Sequence, residues 1–289
     1  MTSILRTAVT CVFLLLHRCG CFVPQQPAPS QQRQHPTASA TSSSCQLNPD
    51  TSPIKQSSIT GVTLKIALDQ QGGVVDLSET KVERFTSPES LDMVHRLRVD
   101  CDAVLVGRNT VEVDDCTLTV RRVPLPSHRK QPVRVIVDPQ LTLLKHRKEY
   151  KIFTDGLPTL VYHAVEYPPS LAEKYPNVTL CYSKPNADTH QLDPKLLIQD
   201  LSSRGIHHLM VEGGVATAKS FLQAGVVDRA IVVTAPIKFQ QPLLSNINDE
   251  ILQKSGLNLV ASSMQGVDEV EYWSRPKLQW PADPPCSWP

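Results

Sequence analysis

Residues 207–235 read His-His-Leu-Met-Val-Glu-Gly-Gly-Val-Ala-Thr-Ala-Lys-Ser-Phe-Leu-Gln-Ala-Gly-Val-Val-Asp-Arg-Ala-Ile-Val-Val-Thr-Ala. A short apolar run ends at Val211, two glycines follow Glu212, and apolar residues then recur at helical spacing as far as Gly225, a typical helix stop. A β-branched run completes the stretch at residues 229–235. This order predicts a strand, a tight turn, a helix and a second strand, which together form one βαβ unit.

Apolar runs of strand length also precede this unit. They occur at residues 62–68, 102–106, 133–137, 159–163 and 178–182. Helix signals lie between them, because Ser-Pro-Glu at 87–89 supplies an N-cap, a proline and an acidic first turn, and Asp-Pro at 193–194 begins a second helix. After the unit, residues 257–262 and 267–273 predict a hairpin. We therefore predict an α/β fold in a single domain at residues 61–275, with a mixed, mostly parallel sheet and helices on both faces.

The N-terminal residues have the composition of targeting segments. Residues 1–21 combine a basic start, an apolar centre and small residues, as in a signal peptide, and residues 22–53 are rich in Pro, Gln, Ser and Thr, as in a transit peptide. The two in series resemble the presequences of algae with complex plastids, in which the transit peptide begins with Phe, here Phe22. We expect delivery to a plastid, with secretion as the alternative. Residues 276–289, with five prolines, are expected to form a Pro-rich tail.

Composition argues against several classes of protein. The 29 basic and 28 acidic residues leave a formal net charge of +1, which provides no broad positive field for a nucleic acid. The longest apolar run, residues 8–16, is too short to cross a bilayer, so we expect no membrane span in the mature form. Cysteines 101, 116, 181 and 286 are widely spaced without a C-x-x-C pair, which favours reduced thiols over a zinc site. We expect no bound metal.

Candidate chemistry begins at the turn Glu212-Gly213-Gly214. A glycine pair between a strand and a helix lets a ligand approach the backbone, where unpaired N–H groups and the helix dipole favour a phosphate. Glu212 follows directly at the carboxyl end of its strand, which is the edge where open α/β sheets bind ligands. The alternative is a turn without a ligand, in which Glu212 is only an acid near the start of a helix.

A second group of polar residues follows the strand at 102–106. The loop after that strand contains Thr110, Asp114, Asp115, Arg121 and Arg122, and Arg98 ends the helix before it. Several charged groups near one strand end predict recognition of a polar, phosphorylated small molecule. A solvated, charged loop is the alternative.

Three segments resemble one family. Residues 102–121 resemble the D-A-[IV]-L-V-G-x-x-T-V-x-x-D-x-x-L-T-V-R stretch of the pyrimidine reductase of riboflavin biosynthesis, which also occurs as the reductase half of bifunctional deaminase-reductases. Residues 211–214, 221–228 and 235–236 resemble the family's V-E-G-G, L-x-x-G-L-V-D and A-P blocks. The first strand, followed by Phe-Thr-Ser-Pro at 85–88 and His-Arg-Leu-Arg at 95–98, is similar to the family's beginning. Together these segments cover nearly all of residues 61–275.

The resemblance implies a fold and an activity. The fold is dihydrofolate-reductase-like, and the protein is a monofunctional oxidoreductase without a deaminase domain. The hydride donor is NADPH, and the substrate is a phosphorylated pyrimidine, 5-amino-6-(5-phosphoribosylamino)uracil, whose ribosyl C1′ is reduced to give the ribitylamino product. Family members usually pair, so a homodimer is also expected.

The resemblance further implies roles for individual residues. It places Ala67, Thr110, Asp114, Gly213 and Gly214 at the cofactor. It places Arg98, Leu118, Arg121 and Glu212 at the substrate, in agreement with the forked hydrogen bonds that arginines form with phosphates. Lys65 on the first strand is the candidate for contacting the opened ribose, where its ammonium polarises or protonates the developing imine or its oxygen. Lys65 and Glu212 are therefore the predicted catalytic residues.

Four positions depart from the family pattern near the expected mouth of the site. Asp69 and Gln71 replace the usual Ser and Asp after the first strand, Arg84 replaces a Trp, and Cys116 replaces the Pro of D-D-P. Two alternatives to the reductase therefore stay open. One is a nonenzymatic NADPH-binding relative, and the other is a reductase of a different pyrimidine or pterin-like substrate.

Overall fold

The strands and helices that the sequence predicts occur in the predicted order along the chain. A computed structural model describes residues 61–78, 84–145, 148–186, 191–278, 280, 282 and 285–289, so the predicted signal and transit segments lie outside the described residues. The strands are β1 Gly61–Leu68, β2 Gly73–Asp76, β3 Ala103–Gly107, β4 Val133–Val137, β5 Thr159–His163, β6 Val178–Tyr182, β7 His208–Glu212, β8 Arg229–Thr234, β9 Pro242–Leu244, β10 Asn258–Gln265 and β11 Asp268–Ser274. The helices are α1 Pro88–Asp100, α2 Arg108–Asp114, α3 Thr142–Lys145, α4 Lys151–Thr154, α5 Pro169–Lys174, α6 Pro194–Ser203, α7 Val215–Gln223 and α8 Asp249–Lys254.

Nine strands form one sheet in the order β10-β11-β8-β1-β7-β3-β4-β5-β6. The neighbours from β8 to β6 run parallel, whereas β11 pairs antiparallel with both β8 and β10. The prediction of a mixed, mostly parallel sheet is confirmed. The sequence does not predict the small second sheet of β2 and β9, because each of these strands is too short to carry a pattern of its own.

Alternate residues of the strands face opposite layers of helices, as the period of two requires. On one face, the even-numbered residues of β1 pack in a core with residues of α6 and α7. On the other face, Val104 and Val106 of β3 and Met210 of β7 pack in a second core with Leu97 of α1. The prediction of helices on both faces is confirmed. Lys65 of β1 and Glu212 of β7 consequently face the layer that contains α1.

Helix α1 begins where the sequence predicts and is attached to the last hairpin. The side chain of Ser87 caps it by accepting a hydrogen bond from the backbone N–H of Ser90 at 3.2 Å, and Pro88 occupies its first turn. The hydroxyl of Ser87 also donates to the carbonyl of Gln265 at 2.8 Å, and the backbone N–H of Ser87 donates to Asp268 at 2.8 Å. These bonds fix the helix that carries Arg98 relative to the sheet.

The C-terminal residues pack against the domain, which corrects the expectation of a tail at 276–289. The indole N–H of Trp288 donates to Asp100 Oδ2 at 2.7 Å, and Arg96 Nε donates to the carbonyl of Pro289 at 3.0 Å. Trp280 and Trp288 lie edge to face with ring centroids 5.7 Å apart. The large apolar area of two tryptophans gives this segment a reason to pack that its proline content conceals.

Two further observations concern the described residues as a whole. None of their helices has the length and apolar character needed to cross a bilayer. The four cysteines that the structure describes are free thiols.

Candidate functional site

The main cleft lies at the carboxyl ends of β1, β3 and β7, beside the start of α7. Its volume is about 960 Å³. Both predicted catalytic residues and all five predicted cofactor residues line it, namely Lys65, Ala67, Thr110, Asp114, Glu212, Gly213 and Gly214. A smaller cavity of about 490 Å³ lies at the opposite edge of the sheet, near the starts of β1 and β7, and is lined largely by aliphatic side chains. The larger cleft, which contains the predicted residues, is therefore the candidate site.

Lys65 and Glu212 are direct neighbours in the sheet. They are partners in the parallel register of β1 and β7, so their side chains lie side by side on the same face. Arg98 of α1 reaches Glu212 from the helix layer and forms a bidentate ion pair, with Nε to Oε1 at 2.6 Å and Nη2 to Oε2 at 2.7 Å. Two strands and a helix thus bring one carboxylate between two cations.

Burial and charge set the protonation of this group. Burial lowers the pKa of Lys65 to about 8, although the charge of Glu212 opposes the shift. Burial raises the pKa of Glu212, but the charge and hydrogen bonds of Arg98 and the charge of Lys65 outweigh it and hold the pKa below its ordinary value. At neutral pH, Glu212 is therefore ionised, and Lys65 is an ammonium that can release its proton more easily than an exposed lysine.

The two glycines adopt backbone conformations that other residues rarely take. Gly213 has φ 62° and Gly214 has φ 76°. Gly214 is the N-cap of α7 and supplies no side-chain hydrogen bond to the first turn of the helix. The first N–H groups of α7 therefore lack the usual side-chain acceptor and are suited to an anionic ligand.

Thr110 and Asp114 lie on α2, beside the glycine turn. A methyl group added at Gly214 would lie 3.3 Å from Thr110 Oγ1, and one added at Gly213 would lie 3.6 Å from it. Burial raises the pKa of Asp114. The sequence predicts a loop in this region, but residues Arg108–Asp114 form a helix that ends at Asp115 in the left-handed conformation. Two turns are too few for a clear periodic pattern.

Of the four predicted substrate residues, only Glu212 lines the cleft, whereas Leu118, Arg121 and Arg98 lie outside its lining. Leu118 has φ 54° and its side chain is buried in the α1 core. Arg121 is exposed, and its Nη1 donates to Thr117 Oγ1 at 3.1 Å. Arg98 is close to both, because its Nη1 donates to the carbonyl of Thr119 at 2.9 Å. Arg98 is thus joined to Glu212 on one side and to the loop on the other.

The departure at Asp69 has a structural explanation. Its carboxylate accepts hydrogen bonds from the backbone N–H groups of Gln71 at 2.9 Å, Gly73 at 2.7 Å and Phe239 at 2.8 Å. The ring of Phe239 packs edge to face against Phe85, which lines the cleft, with centroids 5.0 Å apart. Asp69 therefore holds two loops together at the rim. Gln71 takes part in the same group by donating from Nε2 to the carbonyl of Phe239 at 3.0 Å.

Sequence reasoning assigns no role to His95 and Gln131, which both hold the loop that carries Arg121. His95 Nδ1 accepts a hydrogen bond from the backbone N–H of Arg121 at 3.1 Å. Gln131 accepts from the N–H of Val120 at 2.7 Å and donates to its carbonyl at 3.0 Å. The position of His95 three residues before Arg98, on the same face of α1, is a signal that could have identified it. No local pattern identifies Gln131, because its partner is remote in the chain.

A metal centre is not indicated by the residues that the structure describes. Within the described ranges, no cluster of three or more His, Cys, Asp or Glu side chains could hold a metal ion.

The fold and the cleft define the class of α/β domains that have a ligand cleft at the carboxyl ends of their parallel strands. Within that class the chain belongs to the RibD C-terminal domain family, whose model matches residues 62–241. The family that the sequence resembles is thereby confirmed.

Two curated relatives illustrate the family. The chain is 38% identical over 175 residues to the riboflavin biosynthesis protein RibD of Aquifex aeolicus, covering 61% of this chain and 46% of the relative. It is 34% identical over 177 residues to the 2,5-diamino-6-ribosylamino-4(3H)-pyrimidinone 5′-phosphate reductase of Methanothermobacter thermautotrophicus, covering 61% of this chain and 77% of the relative. The chain thus matches less than half of the RibD protein and most of the archaeal reductase.

A solved structure gives the same assignment. RibD of Acinetobacter baumannii superposes with a TM-score of 0.60 at 25% identity, covering 75% of this chain and 58% of that chain. The expected α/β fold with a mixed, mostly parallel sheet is confirmed, and it is shared with this RibD structure.

Proposed function

We propose that this protein is an NADPH-dependent reductase of riboflavin biosynthesis that reduces the ribosyl group of 5-amino-6-(5-phosphoribosylamino)uracil to the ribitylamino product. The observation that carries the proposal is the juxtaposition of Lys65 and Glu212 in one cleft with the turn Gly213-Gly214. The names of the two curated relatives support the pathway and the pyrimidine substrate. NADPH supplies the hydride when it is bound.

The glycine turn fits the diphosphate of such a cofactor. Its two residues have no side chain to block the backbone, and the N–H groups at the start of α7 have no side-chain cap. Ala67, Thr110 and Asp114 line the same cleft and are the further residues that would contact the cofactor.

Replacing Gly214 by alanine is expected to weaken NADPH binding by about tenfold or more, equivalent to about 1.4 kcal/mol. The added methyl group would lie 3.3 Å from Thr110 Oγ1, at the surface where the diphosphate would rest. Gly225→Ala is the matched control, because Gly225 also has positive φ but faces open space. Alanine is strained at positive φ, so both variants should lose stability, whereas only Gly214→Ala should change the Kd for NADPH in a fluorescence titration. Equal Kd values in the two variants would contradict this placement.

Lys65 and Glu212 have separate tasks in the proposed reaction. Reduction of the bond between C1′ and nitrogen in the opened ribosylamine consumes one hydride and one proton. Lys65 holds that proton on Nζ, at a pKa of about 8 that suits a general acid near neutral pH. Glu212 stabilises the ammonium of Lys65 and the guanidinium of Arg98, and thereby fixes both cations beside the substrate.

One assay tests the proposed function. The purified mature protein is mixed with NADPH and 5-amino-6-(5-phosphoribosylamino)uracil, and the loss of the reduced nicotinamide absorbance is followed. Substrate-dependent oxidation supports the proposal. Binding of NADPH without oxidation would instead identify a nonenzymatic relative.

A second candidate substrate follows from the archaeal relative. That enzyme is named for 2,5-diamino-6-ribosylamino-4(3H)-pyrimidinone 5′-phosphate, and the chain covers 77% of its length. The same assay with this compound distinguishes the two substrates. If kcat/KM is higher for the diamino compound, that compound replaces 5-amino-6-(5-phosphoribosylamino)uracil as the proposed substrate.

Replacing Arg121 by alanine is expected to raise the KM for the phosphorylated substrate. A charged hydrogen bond contributes roughly 1.5–3 kcal/mol, and no carboxylate forms an ion pair with Arg121 among the residues that the structure describes. The control is Arg122→Ala, because Arg122 already pairs with Asp92 at 2.7 Å. KM values are compared for the phosphorylated and dephosphorylated substrates. An equal increase for both compounds would show that Arg121 does not bind the phosphate.

Two further parts of the proposal concern the location of the protein in the cell and its oligomeric state. We propose a plastid location, which rests on the composition of residues 1–53 and is tested by fusing them to a fluorescent reporter in an alga with a complex plastid. We also propose a homodimer, which is tested by sedimentation of the mature protein.

A further inference from the structure

The loop at residues 116–122 is held in place by side chains instead of by a neighbouring strand. It lies outside the helices and strands of the sheet. Gln131 pairs with both the N–H and the carbonyl of Val120, in the way that a strand neighbour would. Arg98 donates to the carbonyl of Thr119, and His95 accepts from the N–H of Arg121. Peptide groups of three consecutive residues are therefore fixed from outside the loop.

His95 forms its part of this support in the neutral state. The side chain is buried, with 3% exposure, on the face of α1 that also carries Arg98. Its Nδ1 accepts a hydrogen bond, so this nitrogen carries no proton and the neutral ring is protonated on Nε2. Burial, together with the charges of Arg98 and Arg121, lowers the pKa of His95 to about 4. The acceptor is therefore present throughout the physiological pH range.

The guanidinium of Arg121 is prepared for an anion. Among the described residues it donates to the hydroxyl of Thr117 at 3.1 Å, and Thr117 in turn is hydrogen-bonded to Thr119 at 3.1 Å. Burial and the positive charges of Arg98 and Arg84 lower the pKa of Arg121, although the charge of Glu212 opposes the shift, so the repulsion between these cations is only partly balanced. A phosphate would relieve this repulsion.

We propose that His95 is a positioning residue. It accepts a hydrogen bond from the backbone N–H of Arg121 and thereby directs the guanidinium of Arg121 at the phosphate of the substrate. The inference rests on the proposed function and assigns a further residue to the same site. His95 does not touch the reacting atoms in this proposal. Its effect is on the binding of the phosphorylated end of the substrate and not on hydride transfer.

The test compares two substitutions at His95. His95→Leu introduces an apolar side chain of similar size and removes the hydrogen-bond acceptor. His95→Asn keeps an acceptor oxygen near the position of Nδ1. We expect His95→Leu to raise the KM for 5-amino-6-(5-phosphoribosylamino)uracil by about three- to tenfold, the range of one hydrogen bond. Its kcat should stay within about twofold, and the KM for the dephosphorylated compound should be unchanged. His95→Asn should recover most of the loss.

Controls separate this result from a general loss of structure. His207→Leu changes an exposed histidine of the same domain and should leave both KM values unchanged. Gln131→Leu removes two hydrogen bonds from the neighbouring Val120 and should reproduce the selective rise in KM if His95→Leu does not fold. A rise in KM of equal size for both substrates, a fall in kcat alone, or no effect would each overturn the proposal. A separate outcome would reject the proposed function itself. In that outcome the wild-type protein does not oxidise NADPH with either of the two candidate pyrimidine substrates.

Discussion

Replacement of Glu212 by glutamine is expected to lower kcat by roughly 10²–10⁴-fold, the range for loss of a group that controls proton transfer, with little change in the Kd for NADPH. The neutral amide cannot balance the two cations that the carboxylate holds. Arg98 would keep at most part of its bidentate contact, and Lys65 would lose the neighbouring charge that favours its ammonium form. Single-turnover kinetics with saturating NADPH measure the chemical step directly.

The chain offers a matched control for this substitution. Asp155 also forms a bidentate ion pair with a buried arginine, with Oδ2 and Oδ1 lying 2.5 Å and 2.8 Å from Arg134, but outside the cleft. Breaking a buried pair is costly wherever it lies, so Glu212→Gln and Asp155→Asn should both lower the free energy of unfolding in urea. Only Glu212→Gln should stop turnover. If Glu212→Gln loses NADPH binding but keeps its turnover per bound cofactor, the role proposed for Glu212 is contradicted.

Replacement of Lys65 by methionine is expected to have a similarly large effect, roughly 10²–10⁴-fold on kcat/KM, and to change the pH profile. The wild-type group must be protonated to act, and burial places its pKa at about 8. The kcat/KM of the wild-type protein should therefore fall as pH rises through about 8, with a slope of one. This alkaline limb should be absent in the residual activity of Lys65→Met.

Stability supplies a second measurement that does not depend on activity. The pKa of Lys65 is about 8 in the folded protein and 10.5 for the unperturbed group. Between these values the unfolded chain binds more protons, so this lysine makes the free energy of unfolding rise with pH from about 8 to about 10.5. The difference between wild type and Lys65→Met should show that rise. A flat difference across this window would mean that the lysine is solvated and is not the general acid.

Much of the fold could be predicted from local patterns. The parallel strands are recognisable in the sequence as short apolar runs. Ser87 marks the start of α1, and Gly225 marks the end of α7. The position of Glu212 at a strand end follows from the same pattern. These features are predictable because each is encoded within a few consecutive residues.

Other features depend on contacts between remote parts of the chain. The pairing of Lys65 with Glu212 depends on the register of β1 against β7, which no pattern within either strand specifies. The support of Val120 by Gln131 and the packing of Trp288 on α1 likewise arise only when separate elements meet. The candidate residues could therefore be named from the sequence, whereas the ion pairs and the support of the loop at residues 116–122 could not.

The place of β1 in the sheet has a consequence for biosynthesis. This strand lies between β7 and β8, and the hydrogen bond between Thr63 and His208 joins residues 145 positions apart. A nascent chain therefore exposes an apolar strand long before either neighbour has been translated, and such strands aggregate readily. We expect the yield of soluble enzyme to be limited by this delay, and to rise when synthesis is slowed by cooling or a holding chaperone is supplied.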